Sequence, residues 1–206
     1  MDVVASLYGR NNIFDVIKQA SKNIFVPITV GGGIRNLDDI IQALRSGADK
    51  VAINSKAIKD PGILKQASRV LGTQCIVLSI EAKKREDGSW EVLIENGREK
   101  TGIDVIDWVQ EAEKLGIGEI LITSVDNEGT KKGYDIDLIN NISKVVKVPL
   151  ITCGGLWSAD HIKNILDHNK NIGICGASIF HYNQYSPYEL KNILWENHYN
   201  VRLEGF

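Results

Sequence analysis

The sequence predicts a (β/α) barrel, in which parallel strands form a ring and each strand is followed by a helix. Strand-like and helix-like segments alternate along the 206 residues, with about seven of each. The largely apolar run 75–81 is typical of a parallel strand buried on both faces. A glycine-rich strand-to-helix unit occurs twice, which favours the barrel over its alternative, a doubly wound open sheet.

Composition predicts a single domain over residues 1–206. The chain is 43% hydrophobic, which is enough for a full core, and its net charge of −2 gives no general attraction to nucleic acid or anionic lipid. We expect no membrane span and a cytoplasmic location, because the sequence has neither a signal-peptide pattern nor a long apolar run. The three cysteines, Cys75, Cys153 and Cys175, have no metal-site spacing and are expected to pack as buried residues. We predict no metal and no cofactor.

The elements follow in order along the chain. Strands are predicted over 1–6, 28–30, 50–54, 75–81 and 119–123, with two more before Gly154 and before Gly176. Helices are predicted over 12–24, after the capping residue Asn36, over 61–71, 104–115 and 137–146, from Ser158, and over 187–196. Residues 83–100 interrupt this order with a charged segment around an alternating strand pattern, and they predict a protruding hairpin.

The first glycine-rich unit is Thr29-Val-Gly-Gly-Gly-Ile. A strand that breaks into glycines before a helix can direct backbone N–H groups at a phosphate, so we expect Gly32 and Gly33 to bind one, with Asn54 and Ser55 beside them. The alternative is that the glycines only form a tight turn.

The second unit repeats the pattern over 149–155 and 172–178. Aligning Pro27 with Pro149 also aligns Gly32 with Gly154, which indicates an internal duplication. Two equivalent phosphate pockets suit a substrate with a phosphate at each end. The second phosphate is expected among five residues of the chain: Gly129, Gly154, Gly155, Ala177 and Ser178.

Acids and bases at the predicted strand ends are Asp2, Glu81 and Asp126, with Glu128 nearby. Glu81 is the best catalytic candidate, because a carboxylate after six uncharged residues is costly to bury without a task or a partner. The alternative is an ion pair of Glu81 with Lys83 or Lys84. For Asp126 and Glu128 the alternative is an ordinary polar loop.

Lys50 and Glu119 lie at the starts of their strands, on the face of a barrel that serves stability rather than catalysis. Charges there usually extend into solvent.

Six motifs together identify a family. They are Asp2-Val-Val-Ala-Ser, Thr29-Val-Gly-Gly-Gly-Ile, Gly47-Ala-Asp-Lys-Val-Ala-Ile-Asn54, Gly118-Glu-Ile-Leu-Ile-Thr-Ser124, Asp126-x-x-Gly-Thr-Lys-x-Gly-Tyr-Asp135 and Asn200-Val-Arg-Leu-Glu-Gly205. The chain resembles the cyclase subunit of imidazole glycerol phosphate synthase along its whole length. The resemblance implies a (β/α)8 barrel that uses ammonia from a glutaminase partner to convert a diphosphorylated ribotide into imidazole glycerol phosphate and aminoimidazole carboxamide ribotide.

The resemblance also implies roles for individual residues. Glu81, Glu128 and Asp126 correspond to the catalytic region, and Thr123 joins the substrate-binding residues. Lys50 and Glu119 match members of a charged ring that closes the ammonia passage, and Asp49 matches a position that docks the glutaminase.

Departures from the family pattern open two alternatives. We expect that the chain begins at the family's second strand, so that the first strand and its catalytic aspartate are absent. Glu81 and Glu128 replace aspartates, and Cys153 replaces a serine. These changes would also fit a paralogue that delivers ammonia for amidating or acetamidino-modifying a surface-polysaccharide sugar carried by a nucleotide, or a non-catalytic scaffold that activates the glutaminase.

Overall fold

The computed structural model describes residues 1, 13–169 and 171–203. One sheet contains eight strands: β1 (Thr29–Gly31), β2 (Lys50–Ile53), β3 (Ile76–Lys84), β4 (Trp90–Ile94), β5 (Glu99–Asp104), β6 (Glu119–Ser124), β7 (Leu150–Cys153) and β8 (Ile172–Ile174). Six of them are parallel and lie in the order β1-β2-β3-β6-β7-β8. The parallel strands curl as a partial (β/α)8 barrel.

The order of the strands distinguishes this barrel from a doubly wound open sheet. A doubly wound sheet reverses its strand order at a switch point, whereas each parallel strand here pairs with the next parallel strand in the chain. The barrel prediction is therefore confirmed for the part of the chain that the structure describes. The predicted strand over 1–6, with Asp2, lies outside the described residues except for Met1.

Nine helices occur in the described ranges: α1 (Ile13–Ala20), α2 (Leu37–Arg45), α3 (Ser55–Lys59), α4 (Gly62–Leu71), α5 (Val105–Leu115), α6 (Ile136–Ser143), α7 (Ala159–His168), α8 (Ser178–His181) and α9 (Pro187–Glu196). The predicted cap at Asn36 is present, since its side chain accepts a hydrogen bond from the Asp39 N–H. Sequence reasoning missed α3 and α8, which are too short for a helical period to show. None of the described helices has the length and apolar character needed to cross a membrane.

The core lies between the sheet and the helices that cover it. β3 is buried along Ile76–Ile80, and side chains such as Ile40 on α2 and Ile165 on α7 are fully buried against the sheet. Burial on both faces explains why β3 is an apolar run rather than an alternating one.

The predicted hairpin over 83–100 is present and is larger than expected. β3 continues past Glu81 to Lys84 and pairs there with antiparallel β4, which in turn pairs with β5. The Trp90 indole N–H donates to Asp135 just before α6. Because β6 pairs directly with β3, the hairpin projects from the carboxyl end of the barrel without entering the parallel sheet.

Candidate functional site

A row of polar side chains crosses three neighbouring strands at their carboxyl ends. Glu81 of β3 lies opposite Thr123 of β6, and Thr123 lies opposite Cys153 of β7. Cys175, just after β8, continues the row, because its N–H donates to Thr152 O at 2.9 Å as in a parallel ladder. Sequence-predicted residues from separate strands thus meet at the barrel face where enzymes of this fold do their chemistry.

Glu81 is held by two donors rather than by a cation. Its Oε2 accepts hydrogen bonds from Asn54 Nδ2 at 3.0 Å and from the Gly97 N–H at 2.8 Å. The ion-pair alternative is wrong in this structure, because Lys83 and Lys84 instead approach Asp126 and Asp137.

The pKa of the Glu81 carboxyl is raised above its ordinary value. Burial is the largest cause, and the negative charges of Glu128 and Glu95 add to it. The hydrogen bonds from Gly97 and Asn54 act in the opposite direction, since they favour the charged form. A raised pKa makes the protonated form more accessible than in a free glutamate, which suits a group that both donates and accepts a proton.

Asn54 carries an unused acceptor beside Glu81. Its Nδ2 donates to Glu81 and also to Leu93 O at 3.2 Å, so these two acceptors fix the orientation of the amide. The Oδ1 atom is buried and has no hydrogen-bond partner. Since buried polar atoms are normally satisfied, this oxygen is suited to an N–H or O–H group of a ligand.

The second glycine-rich unit forms a small pocket of about 50 Å³. All five residues that the sequence placed at the second phosphate line it: Gly129, Gly154, Gly155, Ala177 and Ser178. Glu128, Lys131, Cys153 and Cys175 also contribute to the wall. Lys131 supplies a positive charge, and its ammonium lies 3.6 Å from the centre of the Trp157 ring.

The two glycine-rich units have matching backbones. Gly32 and Gly33 have φ of 102° and 68°, and Gly154 and Gly155 have φ of 103° and 87°. These are left-handed conformations that favour glycine. A Cβ on Gly154 would lie 2.8 Å from the Ser124 carbonyl oxygen, and one on Gly155 would collide with the Gly133 carbonyl. The tight-turn explanation is therefore also true of these glycines, and it does not compete with phosphate binding.

At the first unit, Gly32 and Gly33 follow β1, and Asn54 and Ser55 follow the adjacent β2. The hairpin reaches this unit, because Ser55 Oγ accepts from the Glu95 N–H at 3.0 Å. The structure thus places these four residues on neighbouring strand ends, beside Glu81.

Asp126 and Glu128 are both exposed and differ in their surroundings. The Asp126 carboxylate accepts from the Lys84 N–H at 2.8 Å and faces a cavity of about 660 Å³ beneath the hairpin. That contact ties the loop after β6 to the extension of β3. Glu128 lies at the second glycine pocket and acts on Glu81 through its charge.

At the opposite end of the barrel, Lys50 and Glu119 form an ion pair. The Lys50 ammonium lies 3.1 Å and 3.0 Å from the two carboxylate oxygens, and only 13% of the Glu119 side chain is exposed. The expectation that these charges simply extend into solvent is wrong. Asp49 is exposed, and its carboxylate accepts from the Ile28 N–H at 2.7 Å.

The expectation of buried cysteines is wrong for all three, which are half-buried, although Cys75 does pack against the core just before β3. Cys153 and Cys175 are half-buried and line the second glycine pocket. The apolar strand pattern misled the interpretation because both residues lie where their strands end.

Sequence reasoning also missed Gly97 and Lys131. Gly97 acts through its backbone N–H, which no residue-type pattern reveals. Lys131 lies in the motif that runs from Asp126 to Asp135, two residues after Gly129, and this position could have indicated a cation at the pocket.

Fold and site together define a (β/α)-barrel enzyme with paired glycine-rich units around a half-buried carboxyl. The profile of the histidine biosynthesis protein family matches residues 1–186. This chain belongs to that family. Among curated relatives, it is 56% identical over 156 residues to imidazole glycerol phosphate synthase subunit HisF of Legionella pneumophila, covering 76% of this chain and 74% of the relative.

Two further relatives extend the comparison to almost the whole chain. Subunit HisF of the same synthase from Clostridium botulinum strain Okra is 44% identical over 204 residues, and that of Hydrogenobaculum is 45% identical over 203. Each alignment covers 98% of this chain and 81% of the relative. The relatives' names describe them as subunits of a larger enzyme.

Proposed function

We propose that this chain is a cyclase subunit of imidazole glycerol phosphate synthase. It would combine ammonia with phosphoribulosyl-formimino-imidazole-carboxamide ribotide and release imidazole glycerol phosphate and aminoimidazole carboxamide ribotide. One observation carries the proposal: Glu81 lies on β3 between two glycine-rich units of matching backbone geometry, one after β1 and one after β7. A substrate with a phosphate at each end would place its reacting centre near this carboxyl.

The glycine-rich units would bind the two phosphates. Gly154 and Gly155 line the pocket with backbone alone, and Ser178 begins α8 at the same pocket. Lys131 would supply a positive charge to one phosphate. Gly32, Gly33 and Ser55 would hold the other, after movement of the hairpin residue that now bonds to Ser55.

Glu81 would move protons during the reaction. Addition of ammonia to a carbonyl carbon and loss of the oxygen as water require a proton at the oxygen and removal of protons from the nitrogen. The raised pKa of Glu81 favours the protonated form that can start this sequence. Asn54 Oδ1 would accept a hydrogen bond from the substrate and fix its position next to Glu81.

A glutaminase subunit would supply the ammonia at the amino-terminal face, where Lys50 and Glu119 form an ion pair. We place the reaction in the cytoplasm, because a substrate with two phosphates does not cross a membrane unaided.

The test is to assay the purified chain with the ribotide, first with ammonium salts and then with glutamine and the glutaminase. We expect cyclised product under both conditions and its loss in Glu81→Gln, with binding of the ribotide retained. Glu81→Asp is the matched control, since it keeps the carboxyl. Glutaminase stimulation without cyclised product, or amidation of a nucleotide-linked sugar instead, would contradict the proposal.

The docking role of Asp49 needs its own control, because its carboxylate also accepts from the Ile28 N–H. Asp49→Asn keeps an acceptor oxygen and removes the charge, whereas Asp49→Ala removes both. We expect both variants to bind the glutaminase more weakly in a calorimetric titration. Unchanged affinity of Asp49→Asn would show that the charge does not dock the partner.

A further inference from the structure

Cys153 and Cys175 are direct neighbours on the sheet. The pairing of Thr152 with Ile174 continues by one residue, as the hydrogen bond from the Cys175 N–H to Thr152 O shows. Opposite residues on adjacent strands have side chains on the same face. The two thiols therefore lie on the same face of neighbouring strand ends.

The spacing of the strands permits a covalent bond between these residues. Adjacent strands lie about 4.8 Å apart, and disulfides join residues whose Cα atoms are about 4.4–6.8 Å apart. A disulfide between Cys153 and Cys175 therefore needs a slight approach of the two strand ends, because disulfide-linked Cβ atoms lie about 3.5–4.5 Å apart.

The pair is also accessible and chemically asymmetric. Both residues are half-buried and line the second glycine pocket. The neighbouring Cys153 thiol lowers the pKa of the Cys175 thiol to about 7 against the opposing effect of burial, and the pKa of Cys153 is raised by Cys175 and by burial. Near neutral pH, Cys175 can therefore act as the thiolate while Cys153 keeps its proton.

We propose that Cys153 and Cys175 form a reversible disulfide when the protein meets a peroxide, which makes the second glycine pocket a site of redox modification. The Cys175 thiolate attacks one peroxide oxygen, the O–O bond breaks, and the leaving hydroxide takes up a proton to give water. The Cys153 sulfur then attacks the resulting sulfenic acid. The S–S bond forms as the S–O bond breaks, and a second water leaves with the Cys153 proton, so two thiols are oxidised and one peroxide is reduced.

The disulfide would change the shape of the second glycine pocket, which lies between the segment after β7 and the segment after β8. Drawing the sulfurs to about 2.05 Å pulls the end of β7 towards the end of β8. We expect this to weaken phosphate binding there. That consequence rests on the proposed function, whereas formation of the disulfide does not.

The first experiment counts thiols. The full chain is treated with hydrogen peroxide and titrated, and the oxidised peptides are mapped by mass spectrometry. The three free thiols should fall to one, with loss of two hydrogens in a Cys153–Cys175 linked peptide and recovery by dithiothreitol. Cys75→Ser, the matched control, should still form the linked peptide, and Cys153→Ser and Cys175→Ser should not. Addition of oxygen atoms without the linked peptide, or three surviving thiols, would overturn the proposal.

The second experiment measures binding of inorganic phosphate to the reduced and oxidised Cys75→Ser chain. The oxidised form should bind about tenfold more weakly, as expected from losing about one hydrogen bond to a charged group. Equal affinity in the two forms would overturn the effect on the pocket. If the reduced chain binds no phosphate, the proposed phosphate site fails, and the thiol count still decides the disulfide.

Discussion

Replacing Asn54 with alanine tests whether Glu81 is tuned by its neighbours. The substitution removes the Nδ2 donor, which lies 3.0 Å from the Glu81 carboxylate, and leaves the Gly97 N–H as the donor that the structure still shows there. Because a hydrogen bond to the charged form lowers the pKa of a carboxyl, its loss should raise the pKa of Glu81 further.

The size of the effect follows from the kind of bond that is lost. A hydrogen bond to a charged group contributes about 1.5–3 kcal/mol, and about 1.4 kcal/mol corresponds to one pH unit in a titration. The ionisation of Glu81 should therefore move to higher pH by about one to two units in the Asn54→Ala variant, with water entering the site reducing the shift.

The assay is the pH dependence of kcat/KM for ammonia-driven cyclisation, which reports the free enzyme. Asn140→Ala is the matched control, because Asn140 also forms a half-buried amide hydrogen bond, with Asn169, far along the chain from Glu81. Because the protonated form of Glu81 would start the reaction, its ionisation sets the basic limb, which should move to higher pH in Asn54→Ala and stay in place in Asn140→Ala. An unmoved limb in Asn54→Ala, or a shift to lower pH, would refute the reasoning.

Three further predictions concern stability. Gly154→Ala should lower the free energy of unfolding, measured in urea, by about 1–2 kcal/mol more than Gly88→Ala does. Both glycines have positive φ, but only a Cβ at Gly154 meets a carbonyl oxygen, at 2.8 Å. Equal losses in the two variants would contradict this. Lys50→Met should cost about 1–3 kcal/mol by leaving Glu119 partly buried without its cation, and adding Glu119→Leu should recover part of the loss in the same unfolding assay. The pKa of Glu81 is raised in the folded state, so the parent loses stability as pH rises from the unfolded pKa through the folded pKa, where its charge is disfavoured. Glu81→Gln carries no such charge and should become more stable than the parent over that range. A stability difference that does not change with pH would argue against a raised pKa.

The sequence was sufficient for the parts of the fold that depend on local pattern. The apolar run of β3, the hairpin and the capped helix α5 all occur where they were predicted, and Asp104 caps α5 through its carboxylate. The second glycine pocket was also predictable, because the repeat placed Gly154 and Gly155 at positions equivalent to the first unit.

Contacts that depend on strand register could not be predicted. Gly97 reaches Glu81 only because β4 and β5 fold back at one particular register, which includes a shift between Glu91 and Leu93. Cys153 and Cys175 meet only because β7 and β8 pair without a stagger between them. The Lys50–Glu119 pair spans β3, so it depends on the order of three strands rather than on a motif.

The hairpin has an evolutionary consequence. It supplies the backbone donor to Glu81 and contacts Ser55, yet the parallel sheet does not run through it. Insertions, deletions and substitutions in β4, β5 and their turn can therefore change the surroundings of the Glu81 carboxyl while the pairing of β3 with β6 is conserved. Divergence towards new substrates in barrels of this construction should begin in such a segment, where new sequences can be sampled at low cost to folding.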